Sequence, residues 1–199
     1  VTRRPAALAA LAAMAVVLAG CSSPGVSADY EPGGGDYISG DGATHFWAED
    51  NRADPIAFAG ETETGSEISS EDLAGAPVLV NFWYAGCGPC RTEADDLNGL
   101  FDDYADQGVA FVGVNIRDNA ATAESFAATY EVEYTSILDV SDNAVTLAFA
   151  TPAPPTTTPT TYLLDADGRV AARFTSAIDD RVSVVAAMID DLLAERPQK

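Results

Sequence analysis

"VLVNFWYAGCGPCR", residues 78–91, runs a strand-length apolar segment straight into two cysteines separated by two residues. Val78–Tyr84 has the composition of a strand buried on both faces. Gly86 and Gly88 permit a tight turn out of that strand, and Pro89 suits the first turn of a helix. Cys87 therefore falls at a helix N-terminus, where unpaired backbone N–H groups and the helix dipole favour a thiolate. Cys90 lies one turn further in, placed to attack a mixed disulfide formed on Cys87.

Two duller readings of the pair fare worse. A zinc site needs four ligands, and the chain offers this pair and a single remote histidine, His45. A purely structural disulfide would close a loop of about four residues, for which the chain-entropy gain is small. The residues read as a working redox couple.

The chain has 199 residues, of which 47% are apolar, enough for one domain with a real core plus a targeting segment. It carries 31 acidic against 10 basic residues, a net charge of −21. Such a surface repels phosphate backbones, which argues against nucleic-acid binding.

Residues 1–20 read as a signal peptide: Arg3 and Arg4, then an apolar stretch from Ala6 to Ala19 that is short for a membrane span. The run Leu18-Ala19-Gly20-Cys21 resembles a bacterial lipobox, which makes Cys21 the lipidated residue and the chain an extracytoplasmic, lipid-anchored protein of the cell membrane. Of the three cysteines, Cys87 and Cys90 would then be the only free thiols. Residues 21–51, with "EPGGGDYISGDG", read as the lipidated cysteine and a flexible tether reaching roughly 30 Å. His45 reads as a surface residue in it.

The folded domain is expected over residues 52–196. "PIAFAG" and "GSEIS" suggest short flanking strands, and Gly88–Tyr104 a helix. "GVAFVGVNI" (108–116) is a second buried strand, followed by a helix over Ala120–Tyr130, a strand near Thr135–Leu138 and a helical turn over Val145–Phe149. "TTYLLDADGRVAARFT" reads as a hairpin turning at Asp167-Gly168. Val182, Val185, Ile189, Leu192 and Leu193 mark a last amphipathic helix. The order implies an α/β fold, a central mixed sheet flanked by helices.

The cysteine segment resembles the active site of the thioredoxin superfamily, in its TlpA/ResA-like branch of exported, membrane-tethered oxidoreductases. "FVGVNIRDN" with "YTSILD" resembles that branch's insertion, and "TPTTYLLDADGRV" the segment with the family's cis-proline. The resemblance implies a thioredoxin-like fold with an N-terminal strand extension. It also implies that Pro159 is that proline, ahead of Pro152, Pro154 and Pro155, with Thr158 before it facing Cys87 and Cys90. Trp83, Gly88 and Pro89 become supports of the couple; Trp83 reads equally as core and as a shield for the thiols.

The implied activity is reduction of protein disulfides by thiol-disulfide exchange, in c-type cytochrome biogenesis, with no metal or organic cofactor. Its partners would be protein disulfides, apocytochrome c above all, and a CcdA-like membrane electron donor. The opposite direction, a DsbE-like oxidase of newly exported proteins, stays open. A thiol peroxidase would want Thr where Tyr84 stands, and a non-catalytic binding lipoprotein would leave the pair idle. Two departures bear on mechanism. Thioredoxin's buried Asp is replaced by Asn81, and the Glu that ResA-type proteins place between the cysteines is absent, so no carboxylate stands out as proton acceptor. Glu93 and Asp95 read as helix-surface residues, and "EADDL", lacking the kinking proline that relatives often have there, allows a straighter helix.

Overall fold

The chain is described here from a computed structural model over residues 36–38, 43–151 and 153–196. The signal segment, Cys21 and Pro152 lie outside these residues. In chain order the elements are β1 (Tyr37–Ile38), β2 (Thr44–Phe46), β3 (Ala59–Glu61), β4 (Glu67–Ser69) and β5 (Val78–Trp83). Then come α1 (Gly88–Thr92), α2 (Ala94–Tyr104), β6 (Ala110–Asn115), α3 (Ala120–Tyr130) and β7 (Ser136–Leu138). The chain ends with α4 (Ala144–Ala148), β8 (Thr160–Leu164), β9 (Val170–Thr175) and α5 (Val182–Glu195).

Seven strands form one mixed sheet in the order β1-β2-β9-β8-β5-β6-β7. β5, β6 and β7 run parallel, and the pairs on the other side of β5 are antiparallel. β5 is central, and every one of its residues is buried, which is why its sequence reads as an unbroken run rather than an alternation. Side chains still alternate between faces. Leu79 packs with Leu97, Leu100 and Tyr104 of α2 and Val185, Ile189 and Leu192 of α5. Val78, Val80 and Phe82 pack on the opposite face with Phe58, Val145 and Phe149. Burying each such Leu, Val or Phe side chain contributes about 1.5–3 kcal/mol.

Three expectations need correction. Residues 44–51 are not all tether: β2 pairs antiparallel with β9, so the sheet starts well before residue 52. The cause lies in the alternation Thr44-His45-Phe46, which buries Thr44 and Phe46 and covers what would otherwise be an open strand edge. Phe46 meets the edge of Phe174. His45 is half-buried and stacks on Trp47 with centroids 3.7 Å apart. Burial, then Arg173, lowers its pKa against an upward pull from Asp36.

The second concerns the helix after the cysteines, which breaks at Glu93 between α1 and α2 without any proline. Its i,i+4 bonds persist across the break, from Glu93 N–H to Pro89 O and from Leu97 N–H to Glu93 O. The bend accompanies the inward turn of the Glu93 side chain, which is the third correction.

Candidate active site

β5 ends at Trp83, and the chain turns through Tyr84–Gly86 into the cysteines. This turn is braced from the β6–α3 connection: Asp118 Oδ2 accepts from Ala85 N–H at 2.6 Å and from Asn115 Nδ2 at 2.9 Å. The Arg117 guanidinium lies over the Tyr84 ring, 4.2 Å from its centroid.

Cys87 is the N-cap of α1, and its Sγ accepts the Cys90 backbone N–H at 3.1 Å. That donor would become a charge-assisted partner once Cys87 is a thiolate. Cys87 and Cys90 are joined as a disulfide with Cα atoms 5.3 Å apart. Both cysteines are buried, while Gly88 and Pro89 between them are exposed. Between the two buried cysteines, solvent reaches the Gly-Pro dipeptide.

Trp83 is buried and packs at a tilt on Phe126, with centroids 4.3 Å apart. It shares one cluster with both cysteines. Its Nε1–H donates to Ser136 Oγ on β7 at 3.0 Å, and a buried indole needs such a partner. Gly113 makes this approach possible: a Cβ there would run into Ser136 Oγ and stand 2.9 Å from Trp83 Nε1.

Antiparallel pairing of β8 with β5 matches Thr160 to Phe82. The start of β8 thus lies at the end of β5 from which the cysteine turn leaves. The Thr158–Pro159 peptide bond, immediately before, is cis. Thr160 Oγ1 donates to Thr157 O, and the Tyr162 hydroxyl to Ala153 O, tying down the Pro/Thr-rich approach to this bond.

Glu93 is the residue that sequence reasoning placed wrongly. It is 0% exposed. Oε1 accepts from Asn81 Nδ2 at 2.9 Å, and Oε2 accepts from Ile178 N–H at 3.2 Å. Asn81 spends its other amide hydrogen on Thr161 Oγ1 at 3.0 Å. Burial pushes the Glu93 carboxyl up to about 7, against the lowering effects of Asn81, Ile178 N–H and Arg181. Asp95, by contrast, is exposed. Glu93 follows Cys90 by three residues, the spacing that puts two side chains on one helical face. A buried carboxyl raised towards neutrality, one helical turn along from a thiol, can take and return a proton. The carboxylate that thioredoxin keeps on its central strand is here on the helix, facing an Asn on the strand.

Two signals pointed to it. The spacing Cys-x-x-Cys-x-x-Glu puts the carboxyl on the inner face with Cys90, and Asn81 is a polar residue inside a buried strand that must find partners. Burial and the proximity of Glu93 also raise the pKa of the Tyr134 hydroxyl.

Residues 52–173 match the AhpC/TSA family. The chain belongs to that family. Among its relatives, the thiol-disulfide oxidoreductase ResA of Bacillus subtilis is 27% identical over 128 residues, 64% of this chain and 69% of that one. A DsbF homologue from Corynebacterium diphtheriae has a similar structure, with a TM-score of 0.66 and 30% identity over 79% of this chain and 98% of that one. A secreted thiol-disulfide isomerase from Corynebacterium glutamicum gives a TM-score of 0.68 at 28% identity, over 82% and 99% of the two chains. The fold of this AhpC/TSA member is thioredoxin-like, and its chemistry is that of a thiol-disulfide oxidoreductase of the ResA and DsbE type.

Proposed function

We propose that this chain is an exported reductase of protein disulfides, with Cys87 as nucleophile, Cys90 as resolving thiol and Glu93 as proton acceptor. The carrying observation is the alignment of three groups on one short helix: Cys87 at the cap, Cys90 inside the first turn, and the buried carboxyl of Glu93 one turn on. In the reduced protein the Cys87 thiolate attacks one sulfur of the substrate disulfide. That bond breaks, a Cys87–substrate disulfide forms, and the departing substrate thiolate takes a proton. Cys90 then gives its proton to Glu93 and attacks Cys87 Sγ. The second substrate thiolate leaves, the Cys87–Cys90 bond closes, and two electrons have passed to the substrate. The couple itself is the redox group, so the reaction calls for no metal or organic cofactor.

The substrate we propose is the Cys-x-x-Cys disulfide of apocytochrome c, with a CcdA-like membrane protein returning electrons. This reading is supported by the ResA relatives and by the Gly88-Pro89 dipeptide, which is that of thioredoxin. A second reading, oxidation of newly exported proteins, is favoured by the similarity to the DsbF homologue. Equilibration with glutathione buffers, read by alkylation and mass spectrometry, separates the two. A reductase should poise near the thioredoxin value of about −270 mV, and an oxidase near about −120 mV. Reduction of a Cys-x-x-Cys-His peptide by the pre-reduced protein should follow in the first case only.

The anchor we propose is a lipid on Cys21. No helix among the described residues is long and apolar enough to cross a membrane. Labelled palmitate should enter the wild-type chain but not Cys21→Ala, which should leave the membrane fraction. A variant that stays membrane-bound would place the anchor elsewhere.

A further inference from the structure

The segment between β9 and α5 touches both sides of the active site. Ser176 N–H donates to Pro159 O at 3.0 Å, and Ile178 N–H donates to Glu93 Oε2. Yet this turn is conformationally costly, because Ser176 has φ 67°, a region that non-glycine residues seldom occupy. Something must hold it.

The side chain that does so is Arg181, itself buried. Its Nη2 donates to the carbonyls of Thr175 (3.1 Å), Ser176 (3.5 Å) and Ala177, gathering three successive residues of the turn. Its Nη1 reaches the other way, to Thr44 Oγ1 at 3.2 Å and Ala43 O at 3.4 Å on the N-terminal extension. The ion-pair partner in contact with it, Asp180 at 3.1 Å, is largely exposed. A guanidinium taken out of water and bound chiefly by carbonyls and a hydroxyl is expensive unless the geometry is well satisfied, and here the fork spans two segments at once.

We propose that Arg181 is a positioning residue for thiol exchange: it fixes the 175–178 turn that presents Ile178 N–H to Glu93, and it sets positive charge beside that carboxylate. The proposal rests on the assignment of Glu93 as proton acceptor. Through Ala43 and Thr44 it also makes the N-terminal extension part of the active-site scaffold. The groups that bear on Glu93 are Asn81 from β5, Tyr134 from the loop before β7, and the Ile178 N–H, Asp179 and Arg181 from the segment before α5. Arg181 favours the ionised form, while burial and Asp179 oppose it.

The test is a titration of the whole chain, oxidised and labelled with 13C at glutamate carboxyls, with the Glu93 signal assigned by its loss in Glu93→Gln. Arg181→Gln should move the Glu93 midpoint up by about one pH unit. Arg181→Lys, which keeps the charge, should stay near wild type. A midpoint unmoved in folded Arg181→Gln overturns the proposal. Should Arg181→Gln fail to fold, Arg181→Lys carries the test through the Ile178 amide. An ammonium cannot span residues 43–44 and 175–177 together, so hydrogen exchange there should quicken by about tenfold, and unchanged protection overturns the proposal. These readouts need no turnover. If the wild type fails to exchange disulfides, the proposed function falls while the titration still decides the role of Arg181. If exchange proceeds and the midpoint does not move, only the role of Arg181 falls.

Discussion

Cys87→Ser is expected to lose disulfide exchange altogether, because the serine hydroxyl cannot attack sulfur and Cys90 lies inside α1 rather than at its N-terminus. Turnover of insulin disulfides should fall at least about a thousandfold, to the rate of the free reductant, since the thiolate at this position is the nucleophile. Cys90→Ser should behave differently. Cys87 keeps its capping position and its backbone donor at residue 90, so the first attack survives while the second step is lost. One equivalent of substrate should then remain bound as a mixed disulfide. Equal loss of the first step in both variants would remove the distinction drawn between the cysteines.

Glu93→Gln should flatten a pH dependence of stability and slow the second chemical step. The carboxyl is raised from 4.5 to about 7 in the folded chain, so the folded state holds this proton more tightly than the unfolded state. The stability associated with the neutral carboxyl is complete below about 4.5 and is lost as pH rises through about 7. At about 1.4 kcal/mol per unit, the loss approaches about 3 kcal/mol by pH 8. Urea unfolding of oxidised wild type and variant at pH 5 and pH 8 gives this as a difference of differences, in which the other carboxyls cancel. From the Cys87–substrate mixed disulfide, closure of the Cys87–Cys90 bond with release of the substrate thiolate should slow by about a hundredfold, the usual scale for losing a positioned acid–base group. A variant with the wild-type slope and wild-type closure would return Glu93 to a structural role.

Much of this arrangement is legible in the chain because its strongest signals are local. β5 and β6 are buried on both faces and so appear as apolar runs, and the β8–β9 turn declares itself through Asp167-Gly168, where Gly168 adopts φ 83°. The cysteine pair and the Pro-Thr-Thr segment need only short-range spacing. What was misread depends on pairing across the chain. Thr44-His45-Phe46 is too short, and the stretch before it too rich in glycine, to announce a strand; pairing with β9 makes it one. Glu93 sits among "EADD", which looks like a solvated face until Asn81, 12 residues earlier, and Ile178, 85 residues later, supply its hydrogen bonds. Arg181 is likewise one charge beside two aspartates in sequence, and a buried clamp only in three dimensions.

Cys87 makes the first attack in the proposed exchange, and Cys90 resolves it. The direct measurement incubates reduced Cys90→Ser with an oxidised Cys-x-x-Cys-His peptide, quenches in acid and locates the joined peptide by mass spectrometry. A single covalent adduct on Cys87 is expected, absent from Cys87→Ser under the same conditions. An adduct on Cys90 in Cys87→Ser, formed as fast as the one on Cys87, would contradict it.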